Sequence, residues 1–404
     1  MRVLLSNKFY YSRGGSDIYV IELERLLKEH GHEVAVFSME HPLNKESEFV
    51  KFFPGEVDLN NKNLSNLIPS LLRPFGSAEV RTKFNKLLGE FKPDIVHLNN
   101  IHSQLSPILS VLARNLNVPV VWTLHDHKLL CPRYDCMRNG KPCELCFTGK
   151  FNVVRYRCMK HSFTASLVAY AEAVLWNREK ISRSTNIFIC PSRFLLNNMI
   201  KGGFRADQLV SMSNFVDEKK INGIAVKREK HYCYVGRLSS EKGIETLLKA
   251  ATELPQYQLK VIGTGPLEHV LRSANQSKHI EFLGFREWEG LKTILGTSAG
   301  MVIPSECYEN NPLSVIESLC MGTPVIGAKI GGIPELISVG KNGSVFEPGN
   351  VTDLRNQIKG LFETQVKYDY AGIAFDAKAR FMSGNYYEKL IKIYNLVKAA
   401  RNSS

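Results

Sequence analysis

The sequence predicts two doubly wound α/β domains, each built on a parallel sheet with helices on both faces. The chain has 404 residues, which is more than one hydrophobic core usually serves. Short β-rich runs alternate with helical patterns along both halves, which is typical of βαβ units. A charged stretch at 214–230, which contains Gly223, separates the halves as a linker would.

The first domain is predicted to cover residues 1–216. It opens with a strand at Arg2–Asn7 and a Gly-Gly loop, and a helix follows from Ser16 to His30 with apolar residues at helical spacing. The later strands are short apolar runs at Glu33–Ser38, Asp94–Asn99, Val118–Leu124 and Asn186–Cys190. Their composition is typical of strands that are buried on both faces.

The second domain, predicted at 217–381, repeats the pattern. Its strands are expected at His231–Val235, Gln258–Ile262, Ile280–Leu283, Gly300–Ile303, Pro324–Gly327 and Gly343–Phe346. Helices are expected between them, at Gly243–Thr252, Leu291–Gly296 and Pro312–Met321. Because open α/β sheets bind ligands at the carboxyl ends of their strands, we expect the two sheets to face a central cleft.

The composition predicts a soluble cytoplasmic protein with an anionic partner. Apolar residues make up 44% of the chain, and no uninterrupted apolar run reaches the ~18–20 residues that a membrane span needs. The apolar run at the start is too short for a secretory signal. The net charge is +13, and residues 155–205 alone contain nine Lys or Arg against two Glu. Such a surface suits nucleic acid, anionic lipid or a phosphorylated substrate.

A phosphate site is predicted where a helix begins at Pro312. Proline suits the first helical position, because its missing N–H would be unpaired there. The amide groups of Asn311, Leu313 and Ser314 then face out of the positive end of the helix.

Two carboxylates, Glu309 and Glu317, stand near this anion site. They fit there if both accept hydrogen bonds from neutral hydroxyls, and a sugar nucleotide supplies hydroxyls on either side of its diphosphate.

The segment 304–337, "PSECYENNPLSVIESLCMGTPVIGAKIGGIPELI", closely resembles the retaining GT-B-fold glycosyltransferases of family four. That family includes many bacterial polysaccharide and lipid-linked glycan enzymes. The resemblance implies that Glu309 contacts the donor sugar and Glu317 the ribose. It also implies that Asn310 and Asn311 line the sugar pocket, and that the amides of Asn311–Leu313 bind the diphosphate and sugar.

A basic pair is predicted to hold the diphosphate without a metal. In "YVGRLSSEKG", Arg237 follows a strand and Lys242 comes five residues later, where the next helix opens. Arg binds phosphate as a fork and Lys as a point charge. The segment resembles the family's element for the leaving diphosphate.

Further site residues follow from the resemblance. Gly263, in the "GTGP" turn, borders the nucleotide, and Phe285 contacts the base. Gly14 and Gly15 correspond to the loop between the donor phosphate and the acceptor. His125, at the end of a strand of the first domain, lies near the donor sugar. The resemblance also implies that a C-terminal helix, within residues 382–404, packs back on the first domain.

Five cysteines fall between residues 131 and 158. Cys131, Cys143, Cys146 and Cys158 have the spacing C-x11-C-x2-C-x11-C, and Cys136 is an extra. A structural zinc site, reduced thiols and a redox disulfide all stay open. A catalytic metal is not expected, since the sequence offers no Asp-x-Asp motif to hold one on a diphosphate.

Residues 155–183 combine an apolar middle with basic ends. Phe163, Leu167, Tyr170, Val174 and Leu175 recur at helical spacing. Two interpretations stay open: a helix lying on anionic lipid, to which residues 68–82 would contribute, or a long core helix with solvated ends.

Taken with these patterns, the resemblance implies a glycosyltransferase (EC 2.4) that requires no cofactor. It would move a sugar from a nucleoside-diphosphate sugar, UDP or GDP, to a hydroxyl of a glycan or polyprenyl-linked acceptor, with retention. We expect it in the cytoplasm, at the inner face of the cell membrane, with no nucleic-acid partner. The alternatives are a nucleotide-sugar 2-epimerase of the same architecture and a basic, non-enzymatic binding protein.

Overall fold

A computed structural model of the chain describes residues 1–57, 71–221, 227–363 and 368–402. The chain forms two compact units. The first comprises Met1–Cys136, Cys143–Met212 and the C-terminal residues from Tyr387 on, and the second comprises Met137–Pro142 and Ser213–Tyr386. The division falls at 212/213 and 386/387, against the predicted 216/217 and 381/382.

The first unit contains a six-stranded parallel sheet. The strands are β1 Arg2–Ser6, β2 Glu33–Phe37, β3 Ile95–Leu98, β4 Val120–Thr123, β7 Ile187–Cys190 and β8 Leu209–Ser211. Their order across the sheet is β2-β1-β3-β4-β7-β8. The described helices are α1 Gly15–Glu29, α2 Ala78–Phe91, α3 Ile108–Asn115, α4 Asn152–Arg155, α5 Phe163–Leu175, α6 Arg178–Ser184 and α7 Arg193–Lys201. Shorter 3-10 turns lie at Val50–Phe52, Arg73–Phe75 and Ala206–Gln208.

The second unit contains another six-stranded parallel sheet. The strands are β9 His231–Val235, β10 Gln258–Ile262, β11 Ile280–Gly284, β12 Gly300–Ile303, β13 Val325–Ala328 and β14 Gly343–Phe346. Their order across the sheet is β11-β10-β9-β12-β13-β14. The described helices are α8 Glu218–Ile221, α9 Ile244–Thr252, α10 Glu268–Ala274, α11 Trp288–Thr297, α12 Leu313–Cys320, α13 Val351–Glu363 and α14 Tyr370–Phe381. Turns of 3-10 helix lie at Ser240–Lys242 and Ile333–Leu336.

The prediction of two doubly wound α/β domains is confirmed. The central strands are buried on both faces: Val3, Leu4 and Leu5 of β1 and Tyr232 and Cys233 of β9 are fully shielded from solvent. Parallel strands of this kind require helices on each face of the sheet, and α-helices follow most of the strands, although only the 3-10 turn Ile333–Leu336 lies between β13 and β14.

Three features differ from the predicted element order. The linker at 214–230 contains the helix α8 and a bridge between Val216 and Met382, while residues 222–226, including Gly223, lie outside the described part of the chain. The strand β8 and an antiparallel hairpin, β5 Met137–Arg138 with β6 Lys141–Pro142, were not predicted. These strands have only two or three residues, too few to show a period of two.

The last helix, α15 Ser383–Asn402, is anchored to the first unit by polar contacts. The Tyr394 hydroxyl lies 2.6 Å from His97 Nδ1, and Lys398 Nζ donates to Asp94 Oδ1 at 2.8 Å. Tyr394 is fully buried, so this helix contributes to the core of that unit.

Residues 155–183 do not form one long helix. They are divided among the end of α4, the helix α5 and the helix α6. Ser162 and Asn177 begin the two later helices as N-caps, since the side chain of each accepts a backbone N–H in the first turn.

Candidate active site

The loop after β9 carries the predicted basic pair of the second unit. Its backbone is fixed by the hydroxyl of Tyr234, which donates to the Arg237 carbonyl at 2.8 Å. The Arg237 side chain is exposed, whereas Lys242 lies in the 3-10 turn that leads into α9. The Arg237 guanidinium is therefore open to solvent, whereas the Lys242 ammonium group is more enclosed.

Glycines allow this loop to pack against its neighbours. Gly243 has a φ of +67°, and a Cβ there would lie 1.8 Å from the Pro304 carbonyl oxygen. Gly263 has a φ of +127°, and its Cβ would lie 1.9 Å from the carbonyl oxygen of Gly236. Only glycine fits either position, so the loops after β9, β10 and β12 meet at one edge of the sheet.

The centre of this edge is an ion pair. Lys242 Nζ lies 2.6 Å from Glu309 Oε1, and the hydroxyl of Ser305 donates to the same oxygen at 2.7 Å. The side chain of Glu309 is 15% exposed and that of Lys242 is 30% exposed. The backbone of Glu309 is held as well, because the Gly332 N–H donates to its carbonyl at 2.7 Å.

Both members of the pair are charged at neutral pH. Burial, the largest single cause, would lower the pKa of Lys242, but the charge and hydrogen bond of Glu309, together with the nearby Cys307 and Glu241, more than offset it, and the pKa of Lys242 lies well above its usual value. Burial would raise the pKa of Glu309, but the Lys242 ammonium and the Ser305 hydroxyl bring it below its usual value. The site therefore presents a fixed carboxylate beside a fixed cation.

The helix α12 begins at this edge, one residue later than predicted. Its first residue is Leu313, and Pro312 is the N-cap, in an extended conformation. The amide groups of Leu313 and Ser314 lie in the first turn, where no carbonyl of the same helix can accept from them. Glu317 is half-buried in this helix, one turn further on.

The side chain of Asn311 has a role within the protein. Its Oδ1 accepts the Asn214 N–H at 2.8 Å, and the Asn214 side chain donates to the Asn311 carbonyl at 2.8 Å. The Oδ1 and the backbone carbonyl of Asn311 are therefore committed to Asn214. Asn310 beside it is half-buried.

Phe285 follows β11 at the same edge and is 69% exposed. Its exposed ring offers a stacking face for a planar group. The structure thus brings Arg237, Lys242, Gly263, Phe285, Glu309, Asn310, Asn311, Leu313 and Glu317 to the carboxyl edge of one sheet.

In the first unit, the predicted residues lie at the carboxyl ends of β1 and β4. Gly14 is the N-cap of α1, and a Cβ on it would make only an ordinary contact, 3.7 Å from Asp17 Oδ2. The fold of this unit therefore does not itself require glycine at position 14. Gly15 is the first residue of the same helix.

His125 follows β4 and is held by its neighbours. Its Nε2 lies 3.1 Å from Asn99 Oδ1, and its ring packs edge-on against Tyr19 at 4.9 Å. Burial, and secondarily the charge of Lys8, lowers the pKa of His125 to about 3. A neutral imidazole suits contact with an uncharged hydroxyl.

We expect buried histidines to make the first unit sensitive to mild acid. Burial lowers the pKa of His97 and His125 to about 3 and that of His127 to about 4. A histidine whose pKa is lowered in the folded protein contributes its full stabilisation above about pH 6.5, the pKa of histidine in the unfolded chain. This contribution to the free energy of unfolding is lost progressively as the pH falls from about 6.5 toward the pKa of the folded protein. Each of these histidines should therefore lower the free energy of unfolding by ~1 kcal/mol between pH 6.5 and 5.5.

Urea unfolding at several pH values measures this dependence. Between pH 6.5 and 5.5, the free energy of unfolding of His97→Gln should fall by ~1 kcal/mol less than that of the wild type. Substitution of the exposed His269 by Gln should leave the fall unchanged. If the free energy of unfolding of His97→Gln fell as much as that of the wild type over this pH range, His97 would not be a source of the acid sensitivity.

Cys131, Cys136 and Cys146 form a cluster of thiols, which includes the cysteine outside the C-x11-C-x2-C-x11-C spacing. No disulfide joins any of the nine cysteines, all of which lie in the described ranges. The thiols of Cys136 and Cys146 donate to Cys131 and lower its pKa, and the pKa of Cys136 is raised in return. In the described part of the chain, no group of three or more His, Cys, Asp or Glu side chains is arranged to hold a metal ion. Of the four cysteines with the zinc-like spacing, Cys131 contacts Cys146, and Cys146 interacts with Cys158.

Two contacts of the site were not predicted from the sequence. Ser305 donates to the Glu309 carboxylate, and Asn214 holds Asn311. The position of Ser305, four residues before Glu309 in a polar loop, is the one signal that could have indicated the first contact. The second joins residues that are 97 positions apart.

Two family models match the chain. One, described as "Glycosyl transferases group 1", matches residues 216–374, and the other, described as "Glycosyltransferase Family 4", matches residues 13–220. The second model alone covers half of the chain.

Among curated proteins, the chain resembles enzymes that transfer sugars. It is 23% identical to the N-acetyl-alpha-D-glucosaminyl L-malate synthase of Bacillus anthracis, over 90% of this chain and 89% of that protein. It is 26% identical to the sulfoquinovosyl transferase SQD2 of Arabidopsis thaliana, over 71% of this chain. In the latter match the chain spans about half (53%) of its relative's length.

Solved structures show the same fold. Anabaena HepE in complex with UDP has a TM-score of 0.66 at 17% identity, covering 98% of this chain and 100% of that one. Sucrose-phosphate synthase from Thermosynechococcus elongatus has a TM-score of 0.69 at 18% identity, covering 99% of both chains.

Proposed function

This chain belongs to the GT-B glycosyltransferases, and on that premise we propose that it moves a sugar from a nucleoside-diphosphate sugar to an acceptor hydroxyl. The observation that carries the proposal is the Lys242–Glu309 pair, held between the loops after β9 and β12 and close in sequence to the start of α12. A cation and a helix terminus suit a diphosphate, and a carboxylate suits sugar hydroxyls.

We propose that Arg237, Lys242 and the first-turn amides of α12 stabilise the leaving diphosphate. The bond between the anomeric carbon and the phosphate oxygen breaks, and negative charge gathers on the phosphate oxygens. Arg237 has an exposed guanidinium fork for that charge, and Lys242 is already in position. Preformed donors of this kind need little reorganisation as the charge develops.

Glu309 is proposed to accept hydrogen bonds from the donor sugar, and Glu317 from the ribose. The acceptor hydroxyl then forms the new bond to the anomeric carbon on the face that the diphosphate leaves. A donor phosphate oxygen takes the hydroxyl proton, so the configuration is retained and no protein nucleophile or metal is needed. Phe285 would stack on the base, and Gly263 would border the nucleotide.

In the first unit, His125 is proposed to contact the donor sugar, and Gly14 and Gly15 to leave room for the donor phosphate and the acceptor. The space beside Gly14, which the fold leaves open to a Cβ, supports this role. We propose UDP or GDP as the nucleotide, and the likeness to HepE, whose structure is a complex with UDP, favours UDP.

We propose that the acceptor is a glycan or a polyprenyl-linked sugar, used at the inner face of the cell membrane. The excess of Lys and Arg between residues 155 and 205 supports contact with an anionic membrane. No helix in the described ranges has the length and apolar character needed to cross a bilayer.

A thermal-shift screen of UDP-, GDP- and ADP-sugars tests the donor class. A ligand at 100 times its Kd should add about 2.7 kcal/mol to the stability of the folded protein. We expect one nucleotide class to raise the unfolding temperature of the wild-type chain and of Arg355→Ala, a variant at an ion pair remote from the carboxyl edge. No shift with any nucleotide sugar would contradict the proposal.

A further inference from the structure

The helix α5 buries its polar side and exposes its apolar side. Ser166, Ala169 and Glu172 are at most 5% exposed, whereas Phe163 and Leu167 are 53% and 45% exposed. The buried residues lie on one face of the helix, and the exposed ones lie on the opposite face with Val174, which is 48% exposed. An ordinary surface helix has the reverse arrangement.

Polar contacts fix the helix in this orientation. The Glu172 carboxylate pairs with Lys128 Nζ at 2.8 Å and accepts the Ser103 hydroxyl at 3.1 Å. The side chains of Lys128 and Glu172 are only 10% and 6% exposed, so a rotation that hid the apolar side would expose and break a buried ion pair. The apolar side must therefore face outward.

The exposed side of α5 continues onto a neighbouring segment. Phe151, 57% exposed, packs its ring against Tyr170 of α5 at 5.5 Å, and Leu175 at the end of the helix is 37% exposed. We call this set the α5 surface: Phe151, Phe163, Leu167, Val174 and Leu175. A contiguous group of large apolar side chains in water is a mark of an interaction site.

The segment next to this surface carries positively charged residues, and no acidic residue lies near them in the sequence. Arg155, Arg157 and Lys160 are exposed in the segment that joins Phe151 to α5. The sequence has no Asp or Glu between Glu144 and Glu172. An apolar face flanked by cations is complementary to a bilayer whose headgroups are anionic.

We propose that the α5 surface docks the protein on an anionic phospholipid bilayer, with its apolar side chains among the acyl chains and its cations at the phosphates. A second copy of the chain fits less well, since it would bring the same cations and a net charge of +13. The Glu172–Lys128 pair ties the docked helix to the loop after β4, three residues beyond His125. Only the use of a lipid-linked acceptor there rests on the proposed function.

Vesicle sedimentation with the full-length chain tests this docking without donor or turnover. We expect binding to vesicles of phosphatidylcholine with about 30% phosphatidylglycerol, falling steeply as salt rises, and little binding to phosphatidylcholine alone. The double variant Leu167→Glu/Val174→Glu should weaken binding at least about tenfold, because charged residues do not enter the acyl region. Arg155→Gln with Arg157→Gln should weaken binding and reduce its salt dependence.

Leu116→Glu is the matched control, because Leu116 is a 52% exposed leucine of the same unit outside the α5 surface. It should bind vesicles as the wild type does. Circular dichroism reports whether each variant is folded, and the rise in unfolding temperature with a nucleotide sugar reports donor binding. Because the vesicle assay needs no donor, a failure of donor binding would leave the vesicle result unaffected. The proposal is overturned if the wild type does not bind anionic vesicles, or if Leu167→Glu/Val174→Glu binds them as tightly as the wild type. It is also overturned if the only effect of that double variant is to dissociate a dimer.

Discussion

Substitution of Glu309 by alanine should reduce sugar transfer at least about a thousandfold and change the Kd of the nucleoside diphosphate less than about threefold. Glu309 pairs with Lys242 at 2.6 Å, so its removal frees the cation for phosphate rather than removing it. The lost carboxylate would have accepted hydrogen bonds from the sugar, which the diphosphate lacks. Turnover assays and calorimetric titration with the diphosphate separate the two effects.

Glu253→Ala is the matched control for this variant. Glu253 also pairs with a cation, Arg355, but it follows the end of α9 that is farther from Gly243. It should retain wild-type transfer and binding. If Glu309→Ala instead released the nucleotide and spared transfer, the roles proposed for Glu309 and Glu317 would be reversed or wrong.

The strands of the second unit could be predicted almost to the residue. His231–Val235, Gln258–Ile262, Gly300–Ile303 and Gly343–Phe346 have the predicted bounds. Glycine, proline or a charged residue follows each of these four strands, namely Gly236, Gly263, Pro304 and Glu347, and marks where the strand ends.

The start of α12 shows the limit of local rules at a helix terminus. Proline suits both the N-cap and the first helical turn, so the composition did not fix whether Pro312 lies inside the helix. The partner of Asn311 could not be predicted either, because Asn214 reaches it only through the folded chain. Glu309 and the basic pair could be found because their loops follow strands that end at one edge, and Glu317 because it lies in the helix that follows Glu309.

The helix α5 could not be oriented from its spacing. Its apolar residues have helical periodicity, and periodicity places them on one face without saying whether protein or solvent covers it. The buried Glu172–Lys128 pair decides the orientation, and these residues are 44 positions apart in the sequence. The caps at Ser162 and Asn177 were visible as residue types, and they explain why the segment is not one helix.

Substitution of Arg237 or Lys242 by alanine should each lower kcat/KM at least about a hundredfold, because both cations stabilise the leaving diphosphate. Their effects on stability should differ. Arg237 is exposed, so its removal should leave the unfolding temperature unchanged, whereas removal of Lys242 leaves the Glu309 carboxylate without its ion pair.

Because Lys242 is 30% exposed, the loss of the pair should cost about 1–2 kcal/mol, less than for a fully buried one. Arg355→Ala supplies the control for activity, since Arg355 pairs with a glutamate remote from the site. Steady-state kinetics and urea unfolding of the three variants give both quantities. A loss below about threefold in kcat/KM for both Arg237→Ala and Lys242→Ala would mean that the diphosphate binds elsewhere, since charge-stabilising groups at a leaving phosphate contribute far more.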